Sequence, residues 1–120
     1  IVDDAANCRG LELKNIILTG GNATSRSAGL YCPNGLLNAK LDSVQVENYN
    51  DGLFFDGGSN QSNEFDVTIK DCTIGLKTAF DADPNFFNYN TFTRLDILGA
   101  FGVGIDVDLV ANATGLVTPS

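Results

Sequence analysis

The sequence predicts an all-β protein, coiled as a single-stranded parallel β-helix of about four rungs. The first observation is a short glycine phrase that occurs four times, at Ala28-Gly29-Leu30-Tyr31, Asp51-Gly52-Leu53-Phe54, Ile74-Gly75-Leu76-Lys77 and Val103-Gly104-Ile105-Asp106. Its glycines are 23, 23 and 29 positions apart. A unit of this length cannot bury its own apolar face, so copies of it must stack. The chain also lacks any long run with a helical period, which predicts almost no helix.

The strand-like runs that precede the glycine phrases give two apolar columns when they are aligned. One column contains Ile16, Val44, Val67 and Leu95, and the other contains Leu18, Val46, Ile69 and Ile97. Alternate side chains of a strand face opposite sides of a sheet, so we expect both columns to point inward. The same register brings opposite charges side by side in adjacent rungs, in the pairs Asp66 with Arg94 and Glu47 with Lys70.

The glycine phrases themselves predict a second stacked sheet. Its expected inward side chains are Leu30, Leu53, Leu76 and Ile105, followed two residues later by Cys32, Phe55, Thr78 and Val107. Its expected outward side chains are Tyr31, Phe54, Lys77 and Asp106. A propeller or a sandwich is the competing all-β architecture, but it needs tight turns between antiparallel strands. The dipeptides Asn34-Gly35 and Asp51-Gly52 fall within the long repeat and do not divide it into hairpins.

Two segments carry a resemblance to a known family. Asn63-Glu64-Phe65 leads into the strand run that begins at Val67, and Asn90-Thr91-Phe92 leads into Leu95-Asp96-Ile97. This pattern resembles the repeat of right-handed parallel β-helices in the pectin-lyase-like superfamily, which includes pectinases, epimerases and the tailspike or appendage proteins of bacteriophages. The resemblance extends over roughly residues 8 to 110 and implies a right-handed coil. It implies no particular activity, because many chemistries share this scaffold and no family catalytic motif matches.

The whole chain, residues 1–120, is predicted to form one domain. It opens on Ile1 without a methionine or a signal-like apolar stretch, which favours a fragment of a longer polypeptide or a processed product. Its apolar runs are too short to cross a bilayer. A short coil has two open ends, so we expect flanking domains of the same chain or association of chains to cover them. The resemblance to phage β-helices implies a homotrimer.

Charge and cysteine content argue against several classes of function. The net charge is -8, from 15 acidic and 7 basic residues, and the lysines and arginines do not cluster. Nucleic acids, anionic membranes and highly anionic polymers are therefore not expected as partners. The chain has no histidine, and its three cysteines lack the spacing of a zinc site, so neither a metal nor another cofactor is predicted. Buried thiols are expected at Cys8, Cys32 and Cys72, with a disulfide as the alternative.

Three acids are candidates for the hydrolysis of a glycan. Glycoside hydrolysis uses two carboxyl groups about 5 Å apart for retention or roughly 6.5–9.5 Å apart for inversion. Side chains in adjacent rungs are about 5 Å apart, so stacked strands set such distances naturally. The candidates are Asp56, after the second glycine phrase, and Asp81 and Asp83, in the loop after the third. The alternative is that these acids only form turns, because Asp56-Gly57 and Asp83-Pro84 are ordinary turn dipeptides.

Binding of a glycan without cleavage requires fewer groups. The sequence predicts that Tyr31 stacks on Phe54 and that the two rings form a platform for sugar rings. Asn50, Asn34 and Asp51 are expected beside them. Flat rings beside hydrogen-bonding groups on a rigid, elongated face suit an extended oligosaccharide. The alternative is that these rings, together with Phe86, Phe87 and Tyr89, pack under loops or against a neighbouring subunit.

Three classes of function follow, in order of preference. The first is a viral protein, a segment of a bacteriophage tailspike or appendage at the virion tail, that binds an extracellular bacterial surface polysaccharide and, as a glycoside hydrolase, depolymerises it. The second is a segment of a secreted pectinase-like enzyme, and the third is a purely structural β-helical shaft. A lyase is disfavoured because arginines are few and Arg94 already has Asp66 as a partner. The sequence does not decide between binding and cleavage.

Overall fold

The structure is a computed structural model, and it describes residue 1 and residues 8–21, 27–80, 86–99 and 102–109. Of residues 80, 86 and 107–109 it describes the backbone alone. Within these ranges the chain forms thirteen β-strands and no helix, as predicted. The strands are β1 (Cys8–Arg9), β2 (Glu12–Lys14), β3 (Ile17–Thr19), β4 (Ala28–Cys32), β5 (Gly35–Leu37), β6 (Lys40–Glu47), β7 (Asp51–Phe55), β8 (Ser59–Gln61), β9 (Glu64–Lys70), β10 (Ile74–Phe80), β11 (Phe86–Asn88), β12 (Thr91–Leu98) and β13 (Val103–Leu109).

Three parallel sheets form the sides of a coil. Sheet A contains the glycine strands β4, β7, β10 and β13, and sheet B contains β1, β5, β8 and β11. Sheet C contains β2, β3, β6, β9 and β12, with β2 and β3 both paired to β6. Along the chain the strands visit sheets B, C and A in a fixed cycle. The described chain is therefore a parallel β-solenoid, which confirms the predicted fold class.

The solenoid has about three turns, whereas the sequence predicted about four rungs. The prediction counted the glycine strands, and all four of them are present in sheet A. Each turn carries the chain from one strand to the next strand of the same sheet, so four stacked strands are separated by three turns. The number of turns is therefore lower than predicted, although the strands were identified correctly.

The predicted registers are observed in both sheets that the sequence analysis aligned. In sheet A, Leu53 pairs with Leu30 on one side and with Leu76 on the other, and Leu76 pairs with Ile105. In sheet C the two apolar columns are formed as predicted, with Val44, Val46, Val67 and Ile69 buried. Stacking of like apolar side chains in successive turns thus produces one continuous core inside the coil.

The repeated glycine is explained by close packing between sheets A and C. A Cβ atom at Gly52 would lie 2.5 Å from the carbonyl oxygen of Gly75 and 2.5 Å from Cγ2 of Ile69. A Cβ atom at Gly75 would lie 2.5 Å from the carbonyl oxygen of Gly104 and 2.9 Å from side-chain atoms of Ile97. Only glycine leaves room for the β-branched side chains of sheet C at these positions, which is why the phrase marks each turn of the coil.

The bend after each sheet B strand uses a left-handed backbone conformation. One residue in each of the four bends has a positive φ angle: Gly10 (φ 78°), Asn38 (φ 54°), Ser62 (φ 58°) and Tyr89 (φ 54°). Positive φ is uncommon for residues with a side chain, and asparagine tolerates it best. The same bend recurs in every layer because a parallel stack allows each turn to lie on the one before it.

A ladder of buried asparagines pairs the backbone polar groups at this bend. The Asn63 amide donates hydrogen bonds to the Leu36 carbonyl at 2.8 Å and to Asn90 Oδ1 at 2.8 Å. Its own Oδ1 accepts from the Ala39 backbone N–H at 2.8 Å. Asn90 Nδ2 donates to the Asn60 carbonyl at 2.9 Å. Buried backbone groups that cannot reach water are satisfied in this way.

Aromatic side chains fill the wide part of the core. Phe65 stacks on Phe92 with ring centroids 4.8 Å apart, and Phe55 contacts Phe87 at 5.0 Å. Phe87 is buried, so for this ring the alternative of an internal packing role holds, whereas Tyr89 is 65% exposed. The three cysteines are in the described part of the chain and are not joined in a disulfide. Cys32 and Cys72 are buried as expected, whereas Cys8 is partly exposed because it lies on β1, which has a neighbouring strand on one side alone among the described residues.

Both predicted charge pairs are in register on the outer face of sheet C, and one of them forms an ion pair. Arg94 Nε lies 2.7 Å from Asp66 Oδ1, which forms the expected ion pair. Glu47 is in register with Lys70 as predicted, but its carboxylate accepts hydrogen bonds from Thr19 Oγ1 at 3.2 Å and Gln45 Nε2 at 2.8 Å. Exposed ion pairs contribute only about 0–1 kcal/mol each to the free energy of unfolding, so these pairs add little to stability and mainly favour this strand register over others.

The last described layer presents apolar side chains to solvent. Ile105 is 53% exposed although the sequence places it in an inward column, and Leu98 and Val103 are also exposed. Each of them lies on β12 or β13, the final strands of their sheets among the described residues. A strand at the end of a stack has a neighbour on one side alone, so an inward side chain such as Ile105 is half covered. Leu98 is in register with the exposed Lys70 and lies on the outer face of sheet C. The described residues contain no helix long and apolar enough to span a membrane.

Candidate functional site

An open cleft of about 700 Å³ lies on the side of sheet A that faces away from the core. It follows β4, β7 and β10 across three successive layers, at the point where the chain enters sheet A. Its lining residues are Ser27, Ala28, Tyr31, Asn50, Asp51, Phe54 and Lys77. Because the strands are parallel and in register, side chains from different turns meet here as a column.

Two aromatic rings form the floor of this column. Tyr31 pairs with Phe54 in register, and their ring centroids are 5.2 Å apart with the planes inclined by 37°. The next residue in the column is Lys77, whose Nζ lies 4.7 Å from the centroid of the Phe54 ring. An ammonium group at this distance is attracted by the negative face of the ring, which holds the lysine across the platform.

Asp56 lies at the edge of the platform and is bonded to Tyr31. The Tyr31 hydroxyl donates a hydrogen bond of 2.7 Å to Asp56 Oδ2. This hydrogen bond, with some desolvation and the negative charge of Asp56, raises the pKa of the Tyr31 hydroxyl above its ordinary value. The backbone N–H of Asp56 in turn donates to the Cys32 carbonyl at 2.8 Å, so the acid is fixed relative to sheet A.

Asp51 is the buried acid of the cleft, with an exposed fraction of 7%. Burial raises the pKa of its carboxyl group above the ordinary value, and the neighbouring Lys77 ammonium and a hydrogen bond from Asn50 oppose that rise. Asn50 Nδ2 donates to Asp51 Oδ1 at 3.1 Å. The negative charge of Asp106 raises the pKa further. The cleft therefore contains a carboxyl group that keeps its proton to a higher pH than an exposed aspartate.

The three predicted substrate-binding residues, Tyr31, Phe54 and Asp51, all line this one cleft. Asp56, predicted as catalytic, is within hydrogen-bond distance of Tyr31. Asp81 and Asp83, the other predicted catalytic acids, lie outside the described residues. The roles of all six residues stay predictions, because the geometry gives positions and not activities.

Sequence reasoning missed Lys77 and Ser27 as residues of the cleft. Lys77 already stood in the outward column beside Phe54, so the stacking rule that identified the two rings could also have identified the lysine. Ser27 immediately precedes a glycine phrase and had no signal of its own. Asn50, which the sequence analysis placed beside the rings, does line the cleft.

The other surfaces of the described residues are weaker candidates for a binding site than the cleft on sheet A. A second groove of about 230 Å³ lies on sheet C and includes Lys40, Asp42, Glu64 and Asp66. Its charged side chains alternate across layers, and Asp66 is already paired with Arg94. Among the described residues there is no group of three or more histidine, cysteine or acidic side chains placed to hold a metal ion.

No protein-family model, curated protein or solved structure matches this chain. The assignment of a parallel β-solenoid therefore depends on the strand order and registers alone. The link to the pectin-lyase-like superfamily and to phage tailspikes stays a prediction from the sequence pattern. What the cleft binds must be argued from its own side chains.

Proposed function

We propose that this chain is a segment of a β-helical appendage, similar to a bacteriophage tailspike, that binds a bacterial surface polysaccharide in the cleft on sheet A. The observation that carries the proposal is the column of Tyr31, Phe54 and Lys77 beside buried Asp51 in one cleft. Sugar rings have an apolar face and a rim of hydroxyl groups. Such a ligand matches aromatic rings flanked by amide, hydroxyl and charged groups.

The geometry of the stack favours an extended ligand over a compact one. Layers of parallel strands repeat about every 4.8 Å, so successive side chains of the cleft are arranged along a line. A volume of about 700 Å³ is within the usual range of ligand sites, and the open form admits a chain that continues past both ends. Because the two rings and Lys77 are mounted on three adjacent strands of one sheet, little ordering is needed when a glycan binds.

Hydrolysis of the bound polymer is an extension of this proposal. Asp56 contributes one carboxyl group at the platform, and the second is Asp51 or one of Asp81 and Asp83. Burial raises the pKa of Asp51, which is the direction in which the pKa of a general acid is shifted. On this proposal the chain is a glycoside hydrolase as well as a binding module.

The proposed setting is extracellular, at the tail of a virion, with a homotrimer or flanking domains of the same chain covering the exposed apolar ends. Leu98, Val103 and Ile105 are the described side chains that such a cover would bury. A secreted pectinase-like enzyme and a structural shaft without a ligand are the alternatives. The pectinase-like enzyme would bind a plant polysaccharide, whereas the structural shaft would bind no polysaccharide.

Binding should be measured by calorimetry against bacterial capsular, O-antigen, teichoic and plant polysaccharides. We expect a bacterial polymer to bind, and Tyr31→Ala and Phe54→Ala each to weaken that binding by about tenfold through loss of ring stacking. Tyr89→Asn is the matched control, because Tyr89 is an exposed aromatic residue outside the cleft. Equal loss in all three variants would contradict the site.

Mass spectrometry of the incubated polymers tests cleavage separately. Oligosaccharide products formed by addition of water and lost in Asp56→Asn would establish a glycoside hydrolase. Unsaturated products would instead identify a lyase and overturn the hydrolytic extension. Binding of a plant polymer alone would favour the pectinase-like alternative. Absence of binding and of cleavage for every polysaccharide tested would favour the structural shaft.

A further inference from the structure

Carboxylates outnumber ammonium groups around the aromatic platform. Among the described lining residues of the cleft, Lys77 is the one cation and Asp51 the one carboxylate. Two more carboxylates adjoin them, because Asp56 is bonded to Tyr31 and Asp106 is paired in register with Lys77. The platform is therefore acidic, in a chain whose net charge is already -8.

The position of Lys77 shows that the platform accommodates an ammonium group. Its ammonium lies 4.7 Å from the centroid of the Phe54 ring and is close enough to Asp51 to affect the titration of that carboxyl group. Asp106 is in register with Lys77 and also affects the titration of Asp51, so both acids lie near this lysine. An ammonium over an aromatic ring, with carboxylates beside it, is the arrangement by which proteins recognise alkylammonium ligands.

The neighbouring ring repeats part of that arrangement. Tyr31 is stacked against Phe54, and Asp56 accepts the hydrogen bond of the Tyr31 hydroxyl at 2.7 Å. A tyrosine ring that donates to a carboxylate has a more negative face, which attracts cations more strongly. A positively charged group of a ligand that lies across Tyr31 would thus meet the same chemistry that Lys77 meets over Phe54.

We propose that the glycan selected by this cleft carries non-acetylated amino sugars, whose ammonium groups bind over the aromatic platform between its carboxylates. This inference names the ligand chemistry of the site in the proposed function and rests on that function. Net negative charge attracts a cationic polymer and repels polyuronates, so the field of the whole chain acts in the same direction. A neutral N-acetylated glycan keeps the ring stacking but loses the charge contribution.

Three oligosaccharides of equal length separate these contributions: chitosan hexaose, chitin hexaose and a hexamer of galacturonic acid. Their affinities should be measured by calorimetry, at a pH where the amines are charged and the exposed carboxylates ionised. We expect chitosan hexaose to bind at least about tenfold more tightly than chitin hexaose, and hexagalacturonate to bind most weakly. The preference for chitosan should decrease as salt is added, because the charges are partly exposed.

Two variants test the assignment of the charges. Asp106→Asn should weaken chitosan binding several-fold and leave chitin binding unchanged, while Lys77→Gln should strengthen chitosan binding by removing the competing ammonium. Asp42→Asn is the matched control, because it removes an acid of sheet C that does not line the cleft.

The failures of the two proposals are distinguishable. Equal affinity for chitosan and chitin, with both lost in Phe54→Ala, would overturn the amino-sugar inference and leave the glycan-binding function in place. Tighter binding of hexagalacturonate would overturn the inference in the same way. Absence of binding to all three hexamers and to the bacterial polysaccharide panel would overturn both.

Discussion

At the scale of single residues, the glycines of sheet A determine whether the coil can close. Gly52→Ala would put a methyl group 2.5 Å from both the Gly75 carbonyl oxygen and Ile69 Cγ2, so backbone or core must shift. We expect a loss of about 1–3 kcal/mol in the free energy of unfolding, the usual effect of overpacking. Urea denaturation measures it.

Gly104→Ala is the matched control, since a Cβ atom there meets nothing within 4 Å. Its free energy of unfolding should stay within about 0.5 kcal/mol of that of the unmodified protein. Equal destabilisation by both substitutions would contradict the explanation that close packing, and not a backbone conformation reserved for glycine, selects glycine in the phrase.

A second prediction at this scale concerns the hydrogen bond between Tyr31 and Asp56. Because the carboxylate accepts the phenolic proton and repels the phenolate, it raises the pKa of Tyr31. Asp56→Asn should therefore lower the pKa of Tyr31 toward its ordinary value, as followed by an NMR titration of the tyrosine ring carbons. Asp96→Asn, an acid of sheet C, should leave the Tyr31 titration unchanged; an unchanged Tyr31 pKa in Asp56→Asn would show that the hydrogen bond is absent in solution.

At the scale of the strand and its turn, the asparagine ladder stabilises the bend between sheets B and C. Asn63→Ala removes an acceptor from the buried Ala39 N–H and a donor from the Leu36 carbonyl. Leaving such groups unsatisfied costs about 1–3 kcal/mol each, so we expect a clear fall in the midpoint of urea unfolding. Thr68→Ala, on the outer face of sheet C, should change the midpoint little. Similar midpoints for both variants would mean that water replaces the ladder.

The same scale shows how far the sequence predicts the fold. The strands of sheet A and all those of sheet C except β2 were predicted, because their apolar columns alternate and recur at a nearly constant spacing. Sheet B was not predicted, because its strands are two or three residues long and β8 reads Ser59-Asn60-Gln61. Asn60 is fully buried there, although its polarity is typical of a loop. Its place in a strand follows from the stack around it and not from local propensity.

The candidate site was predictable to a similar extent. The stacking rule brought Tyr31 and Phe54 together because both are one position after an inward leucine. It could not identify the burial of Asp51 or the bond from Tyr31 to Asp56, because these depend on how the bends at the two ends of sheet A are shaped. The alternation of apolar and polar residues along a strand predicts which face of the sheet a side chain is on. How deeply the side chain is buried and what it hydrogen-bonds to depend on the conformation of the bends.

At the scale of the whole molecule, a net charge of -8 on 120 residues makes the solenoid sensitive to pH. Among the described side chains, the acids other than Asp51 are at least partly exposed, so solvent screens them. Asp51 differs, because it is 7% exposed and its pKa is raised mainly by burial. In the pH range between its unfolded and folded pKa values, the folded chain binds more protons than the unfolded chain.

The sign of the linkage follows from that difference in bound protons. The favourable contribution of protonated Asp51 is complete below about pH 4, the ordinary pKa of aspartate, and is lost as the pH rises through the higher folded pKa. Asp51→Asn keeps the shape of the protonated acid but cannot ionise, so its thermal midpoint should fall less than that of the unmodified protein as the pH rises above about 4. Glu64→Gln, which removes an exposed acid of sheet C, should retain the original pH dependence. A thermal midpoint that falls as steeply in Asp51→Asn as in the unmodified protein would mean that burial does not raise the pKa of Asp51 in the folded cleft, because its carboxyl group is hydrated there.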